Sequence, residues 1–434
     1  MKKQAILFFI CVVCFVAIIF LVSQDDPAPT GDIVSNTATP TPEATATPTG
    51  SPTNIATATP TPDADPLKAE RDAMLTKLNK MLAQYMYDEV LAEIDANPQL
   101  ANDETATLAQ QATDLKSKLV KYDGKLYHIF FHSLIVYPEL AFDHDGDHAT
   151  YYDYMVTVEE FNRILPLLYE GGFVLFDYDY IVSFDENGKA TYLDIYLPEG
   201  KKPLIVSFDD TNYYEYMKGD GFAECLAINE KGDLVNKLVT PEGNVEYSYE
   251  ADGMPILNTF VDQHPDFSYK GAKGIVALTG YEGAFGYDYT EMSGAEKEAA
   301  IAECKRIADK FKEDGWKLAC HSYSHRVAFT TETITTQQVI DDTNQWLNEV
   351  GAIIGDTNLY ITPFGCYFTD ARRQAWVDRG FKIIMPVYYI QDYYSGSEFM
   401  IHNRCNIDGI TLVKHPERLA EFFDASLVVD EKRP

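Results

Sequence analysis

Positive charge is scarce in this chain. Asp and Glu outnumber Lys and Arg by 67 to 35, for a formal net charge of −32. That balance argues against nucleic acid and anionic lipid headgroups as partners, because both are bound through Lys and Arg. Cysteine is thinly spread. The five beyond the N-terminal segment, Cys225, Cys304, Cys320, Cys366 and Cys405, are scattered, odd in number and in no C-x-x-C spacing. Such a pattern argues against a disulfide framework, and no pairing is predicted. Also missing are a clear small-x-small cleavage site after Val22 and a lipobox before Cys14.

What the N-terminus does contain is Met1-Lys2-Lys3 followed by an uncharged apolar run from Ala5 to Val22. The run is near the lower limit for a spanning helix (~17–25 residues) and longer than a usual signal-peptide core (~7–15). Residues 1–23 are therefore expected to be a signal anchor, a transmembrane helix with Lys2 and Lys3 cytoplasmic and the remainder extracytoplasmic. Secretion after signal cleavage is the alternative. Residues 24–66 turn to Thr, Pro, Ala and Ser, with repeats such as Ala-Thr-Pro-Thr-Pro. With little to bury, this reads as a disordered linker or stalk. At ~3.1 Å per residue it could reach on the order of 100 Å. From 67 to 122, apolar residues recur at three- and four-residue steps from Met74 to Ile94 until Asn97-Pro98 intervenes. A helical hairpin follows from that stripe, its second helix capped by Asn102 or Asp103.

The segment 125–434 carries the chemistry. A strand in Leu126–Val136 ends near His132, and a loop follows from Tyr137 to Tyr152. That loop holds Asp143-His144-Asp145-Gly146-Asp147-His148, which imitates the start of a calcium loop but lacks its closing Glu. Thr157–Glu170 reads as a helix with a Thr157/Glu160 capping box. Next comes Leu204-Ile205-Val206-Ser207-Phe208, a buried parallel strand stopping abruptly at Asp209 and Asp210. Strand, helix, strand is the alternation of an α/β protein, a parallel barrel or a doubly wound sheet. Gly221–Tyr249 reads as an inserted β-hairpin. Farther on, the short strand Trp316–Cys320 delivers His321-Ser322-Tyr323-Ser324-His325. In barrels built this way the chemistry lies at the strands' C-terminal ends, where both groups fall. Two imidazoles and a carboxylate suit Zn²⁺ or a similar divalent ion with open positions for water and substrate. A second carboxylate beside them can take a proton from water activated by that ion.

At these residues the chain resembles the polysaccharide deacetylases of carbohydrate esterase family 4, the NodB-like deacetylases. Ser207-Phe208-Asp209-Asp210 is similar to their T/S-F-D-D motif, His321-Ser322-x-x-His325 to H-S/T-x-x-H, and Thr362-Pro363-Phe364-Gly365 to the third motif, R-P-P-Y-G. The resemblance spans roughly Lys125 onward and implies a distorted (β/α) barrel that hydrolyses N-acetyl groups from an amino sugar. It also implies metal binding by Asp210, His321 and His325, Asp209 as general base, and the Phe364 backbone N–H as an oxyanion donor. The chain departs from the family at Thr211, where glycine is usual, and at Ile361, where an arginine orients the base. Arg372, Arg373 and Arg404 are the candidates to replace that arginine; His402 and His415 are the candidates for the general acid. The expected substrate is peptidoglycan or another N-acetylhexosamine glycan. Two alternatives are a catalytically lapsed, membrane-tethered glycan-binding protein and a metal hydrolase acting on another ester or amide.

Overall fold

The computed structural model describes residues 66–434 apart from Asp145 and Glu332. The expected anchor and nearly all of the linker lie outside the described residues, as does Asp145 of the calcium-loop-like stretch. No helix among the described residues is long and apolar enough to cross a membrane. Ala69–Pro434 forms one compact unit.

Three helices come first: α1 (Lys68–Ala83), α2 (Tyr87–Ala96) and α3 (Asp103–Lys116). The apolar stripe predicts one helix where α1 and α2 stand; the chain breaks at Tyr85, whose φ is +63°. Tertiary contacts impose the break. The Tyr85 hydroxyl donates to the Asp266 carbonyl at 2.7 Å, and its ring stacks on Tyr269. A capping box between Asn102 and Thr105 starts α3.

The rest alternates strand and helix around one curled, ten-stranded sheet. Its central strands are β1 (Tyr127–Phe131), β2 (Phe173–Leu175) and β3 (Lys202–Phe208). A three-stranded antiparallel meander is inserted next: β4 (Cys225–Ile228), β5 (Leu234–Val239) and β6 (Val245–Ser248). The main sheet resumes with β7 (Ile275–Leu278), β8 (Lys317–Cys320), β9 (Leu359–Ile361) and β10 (Ile383–Met385). It finishes with β11 (Tyr393–Ser395), β12 (Met400–His402) and β13 (Cys405–Asn406). The order is β11-β12-β10-β9-β8-β7-β3-β1-β13, with β2 alongside β3. All neighbours are parallel except β11 and β12. The segment Met400–Asn406 joins the two ends: its first half pairs with β10 and its second with β1.

Period-2 alternation sorts the side chains of β3 onto two faces. Leu204, Val206 and Phe208 pack outward among the helices, with Phe208 against Phe131, Phe161 and Trp316. Ile205 points inward with Ile275, Ala277, Ala319, Ile361 and Met385. The outer layer includes α4 (Val158–Glu170), α5 (Gly253–Gln263), α6 (Gly294–Glu313), α7 (Thr336–Trp346) and α8 (Ala371–Val377). The expected Thr157/Glu160 capping box starts α4. Helix α5 lies so close to β3 that a Cβ on Gly253 would stand 2.0 Å from the Phe208 ring.

Candidate metal centre and its base

Parallel strands in one sheet bring their C-terminal ends to one edge, and there the predicted residues meet. Asp210 follows β3; His321 and His325 follow β8. One donor atom from each of the three lies within 4.8 Å of the others. Asp210 Oδ2 is 3.8 Å from His321 Nε2 and 4.0 Å from His325 Nε2. These separations are too long for hydrogen bonds and suit donors ~2.0–2.2 Å from a shared ion.

The surrounding contacts orient each donor outward from its own support. His321 Nδ1 donates to the Ile361 carbonyl at 3.0 Å, leaving Nε2 with its lone pair toward the cluster. Ile361 therefore contributes a backbone acceptor where the family motif has arginine. Asp210 Oδ1 accepts from Tyr214 Oη at 2.7 Å, and Tyr214 Oη also meets Thr279 Oγ1 at 2.8 Å. The loop carrying both imidazoles hangs from Asp342 on α7, whose carboxylate accepts from the Tyr323 and Ser324 amides and the Ser324 hydroxyl. Left-handed backbone at Asp210, Ser322, His325 and Phe364 marks the site as locally strained.

Electrostatics keep the donors in ligating form. Burial works to raise the Asp210 pKa, but His325, His321 and His132, with the Tyr214 hydroxyl, hold it at about 2. Burial lowers the His325 imidazole to about 4 despite the opposing pull of Asp210. At neutral pH the trio is thus a carboxylate with a neutral His325, the donor chemistry a divalent ion requires.

Asp209 is 3% exposed and lies against a counter-ion reached only through the fold. Arg404, fully buried between β12 and β13, places Nη1 2.7 Å from Asp209 Oδ1 and Nη2 3.0 Å from Oδ2. This bidentate fork fixes the carboxylate's plane and leaves each oxygen a free lone pair. Of the three arginine candidates, Arg404 occupies the position beside Asp209; Arg372 pairs with Asp370 instead. Phe364 lies beside the cluster, its ring centroid 4.1 Å from that of His325.

Neither histidine put forward as the acid joins the cluster. His415 is on the surface beside Glu417, and His402 is buried with both ring nitrogens engaged by Tyr178 Oη and the Leu126 carbonyl. His132 is the imidazole that does approach. The register pairs Phe131 with Phe208, so His132 stands across from Asp209, and the Asp209 amide donates to the Phe131 carbonyl at 2.8 Å. His132 Nδ1 donates to the Tyr154 carbonyl at 3.1 Å, which turns Nε2 away from that anchor. The ring is close enough to bias Asp210 and His325 electrostatically. A signal for it exists in the sequence: Leu126, His128, Phe130 and His132 alternate onto one face of the strand.

No family model and no curated protein matches the chain. Among solved structures it is similar to the deacetylase PplD of Streptococcus pyogenes in complex with acetate, at 13% identity, with 69% of this chain and 98% of that one covered and a TM-score of 0.38. A de-N-acetylase from Aggregatibacter actinomycetemcomitans gives 13% identity, 68% and 99% coverage and 0.38. IcaB from Ammonifex degensii gives 14%, 60% and 83%, and 0.34. The likeness is distant, and the chemistry follows from the chain's own residues.

Proposed function

We propose that this chain is a metal-dependent deacetylase of the NodB type that hydrolyses N-acetyl groups on an amino-sugar polymer of a cell wall or surface. The observation that carries the reading is the convergence of Asp210, His321 and His325 directly beside an Asp209 held by Arg404. A divalent ion on those three donors, Zn²⁺ being the natural choice for two imidazoles and a carboxylate, would supply Lewis acidity to the acetyl carbonyl and to water. Asp209 takes the water's proton as oxygen attacks the acetyl carbon. The Phe364 backbone N–H is assigned to the developing oxyanion. His132, with Nδ1–H kept on the Tyr154 carbonyl and a second proton on Nε2, gives the Nε2 proton to the nitrogen as the C–N bond breaks. Acetate and an amine on the sugar result, and the proton that Asp209 took from water passes back to His132 through solvent. Tyr216 and Tyr281, both partly exposed and packed nearly parallel against Tyr214, offer aromatic surface for a sugar ring next to the site.

A lapsed glycan binder would fit a base left unsupported by the missing motif arginine, but Arg404 contacts Asp209 in that role. The apolar N-terminal run supports tethering at the membrane, with the catalytic segment held outside by the Thr/Pro linker. The test measures bound metal and acetate release from acetylated chitooligosaccharides and peptidoglycan with the purified full chain. Asp210→Ala and His321→Ala should lose both metal and turnover. Asp209→Asn should keep the metal and lose turnover by about 10²–10⁴-fold. Near-normal turnover in Asp209→Asn would refute the base assignment.

A further inference from the structure

Behind the base lie three buried ionisable groups that the hydrolysis does not use: His128, Tyr178 and His402. They come from separate parts of the fold: β1, the turn after β2, and β12. Strand alternation places Ile205, Ser207 and Asp209 on one face of β3, so Ser207 sits directly below the base. Arg404 Nη1 donates to Ser207 Oγ at 3.1 Å as well as to Asp209. Ser207 Oγ then meets His128 Nε2 at 3.0 Å, and His128 Nδ1 meets Tyr178 Oη at 3.1 Å. Tyr178 Oη meets His402 Nδ1 at 2.7 Å, and His402 Nε2 meets the Leu126 carbonyl at 3.2 Å.

The two ends dictate every proton between them. Arginine only donates, so Ser207 accepts from Arg404; Ser207 keeps a second lone pair, so it is the carbonyl end, with both rings neutral, that sends its O–H to His128 Nε2. His128 must then carry its proton on Nδ1 and give it to Tyr178. Tyr178 donates onward to His402 Nδ1, and His402 donates from Nε2 to a carbonyl that can only accept. Each neutral imidazole uses one donor and one acceptor, so every link is satisfied in one direction alone. Protonating either ring would add a donor facing the hydroxyl that now donates to it, so Ser207 or Tyr178 would have to swing its proton off the chain. Burial lowers His402 to about 4 and pushes His128 well below its ordinary range, while burial holds the Tyr178 proton firmly in place.

We propose that Ser207, His128, Tyr178 and His402 form a one-directional hydrogen-bond chain that aims the Arg404 fork at Asp209 and thereby positions the base. Its members are positioning residues that touch no substrate. The role as base-positioner rests on the deacetylase reading, whereas the chain itself does not. Besides its fork on Asp209, Arg404 is held at Nε by the Met385 carbonyl at 3.2 Å and over the Phe130 ring, and Ser207 is the contact that ties its Nη1 arm to the buried chain. With Ser207 removed, the fork can twist about its stem and the Asp209 plane turns with it. Small misplacements of a catalytic group are costly, since reacting atoms must sit in near-attack geometry.

The experiment uses the full chain with zinc bound and ¹⁵N-labelled histidine. Ring-nitrogen NMR should show His128 protonated on Nδ1 and His402 on Nε2, both neutral at pH 7. Kinetics on an acetylated chitooligosaccharide follow for Ser207→Ala, Tyr178→Phe and the double variant. Ser207→Ala should keep its zinc and its KM within about threefold while kcat falls 10- to 100-fold. Tyr178→Phe should lower kcat less, and the double variant should be no worse than Ser207→Ala, because the chain is already cut. A mere packing defect would give additive losses. An active wild type with an unaltered Ser207→Ala, or with additive losses, overturns the positioning role and leaves the deacetylase standing. The opposite tautomer on His128 overturns the chain itself. If the wild type releases no acetate from any glycan, the functional reading falls, and the positioning role with it; the tautomers still decide the chain.

Discussion

At the residue scale the site separates into groups announced by their neighbours and groups announced only by the fold. Asp209-Asp210 and His321-x-x-x-His325 each sit straight after a buried strand, so strand-end chemistry was readable from local pattern. Arg404 was readable only as one of three candidate arginines, because its partner lies 195 residues away and only the sheet's closure unites them. His132 is an intermediate case: its face is readable from alternation, but its opposition to Asp209 depends on inter-strand register. As the proposed proton donor it carries a distinct expectation. His132→Asn should retain bound metal and lose about 10²–10⁴ in turnover, whereas His415→Ala, altering an exposed ring, should leave turnover unchanged. Metal analysis with steady-state kinetics checks both, and an active His132→Asn would remove it from the reaction.

At the element scale, capping and periodicity read well where local chemistry dominates and fail where a distant contact overrides it. Thr157 with Glu160 and Asn102 with Thr105 start their helices as short-range rules require. The α1–α2 break was invisible, since nothing in the stripe reveals that Tyr85 reaches Asp266. The stretch Tyr137–Tyr152, expected as loop, holds the short helices Pro138–Ala141 and His148–Tyr154 at its two ends. Helix α5 starts at a buried carboxyl with measurable consequences. Asp252 accepts from the Gly253 amide, the Leu134 amide and the Tyr213 hydroxyl, yet burial raises its pKa to about 6. A carboxyl at ~3.9 when unfolded and about 6 when folded binds its proton more tightly in the folded chain. Its contribution to stability is therefore present below pH ~4 and lost as pH rises through 6, by on the order of 2–3 kcal/mol. Asp252→Asn should flatten that part of the profile. Urea midpoints at pH 4 and pH 6.5, compared between variant and wild type, give the answer; an identical difference in both would show that Asp252 is not the titrating group.

At the scale of the whole molecule, the fold class was legible from strand–helix alternation, and the closure of the sheet was not. The segment after β13 folds back and ties onto α4. Arg433 is buried against Glu160 with Nη2 2.6 Å from Oε2, and it also reaches the Tyr152 and Met155 carbonyls. Thr157 Oγ1 donates to Asp430 at 2.9 Å beside it. Removing one partner of such a pair strands the other charge in the interior. Arg433→Ala should therefore cost about 3–5 kcal/mol of stability, read as a lowered denaturant midpoint, and a loss below about 1 kcal/mol would show that water reaches Glu160.

The segment Met400–Asn406 has a double duty that bears on the protein's history in the cell. The same stretch joins the sheet's ends and delivers the counter-ion of the base, while the ligand residues all precede it. A chain emerging from its N-terminus thus presents the three proposed ligands well before the arginine that holds Asp209. Under the proposed chemistry, a copy ending before Arg404 would lack the fork on Asp209, so hydrolysis would wait until the sheet has shut.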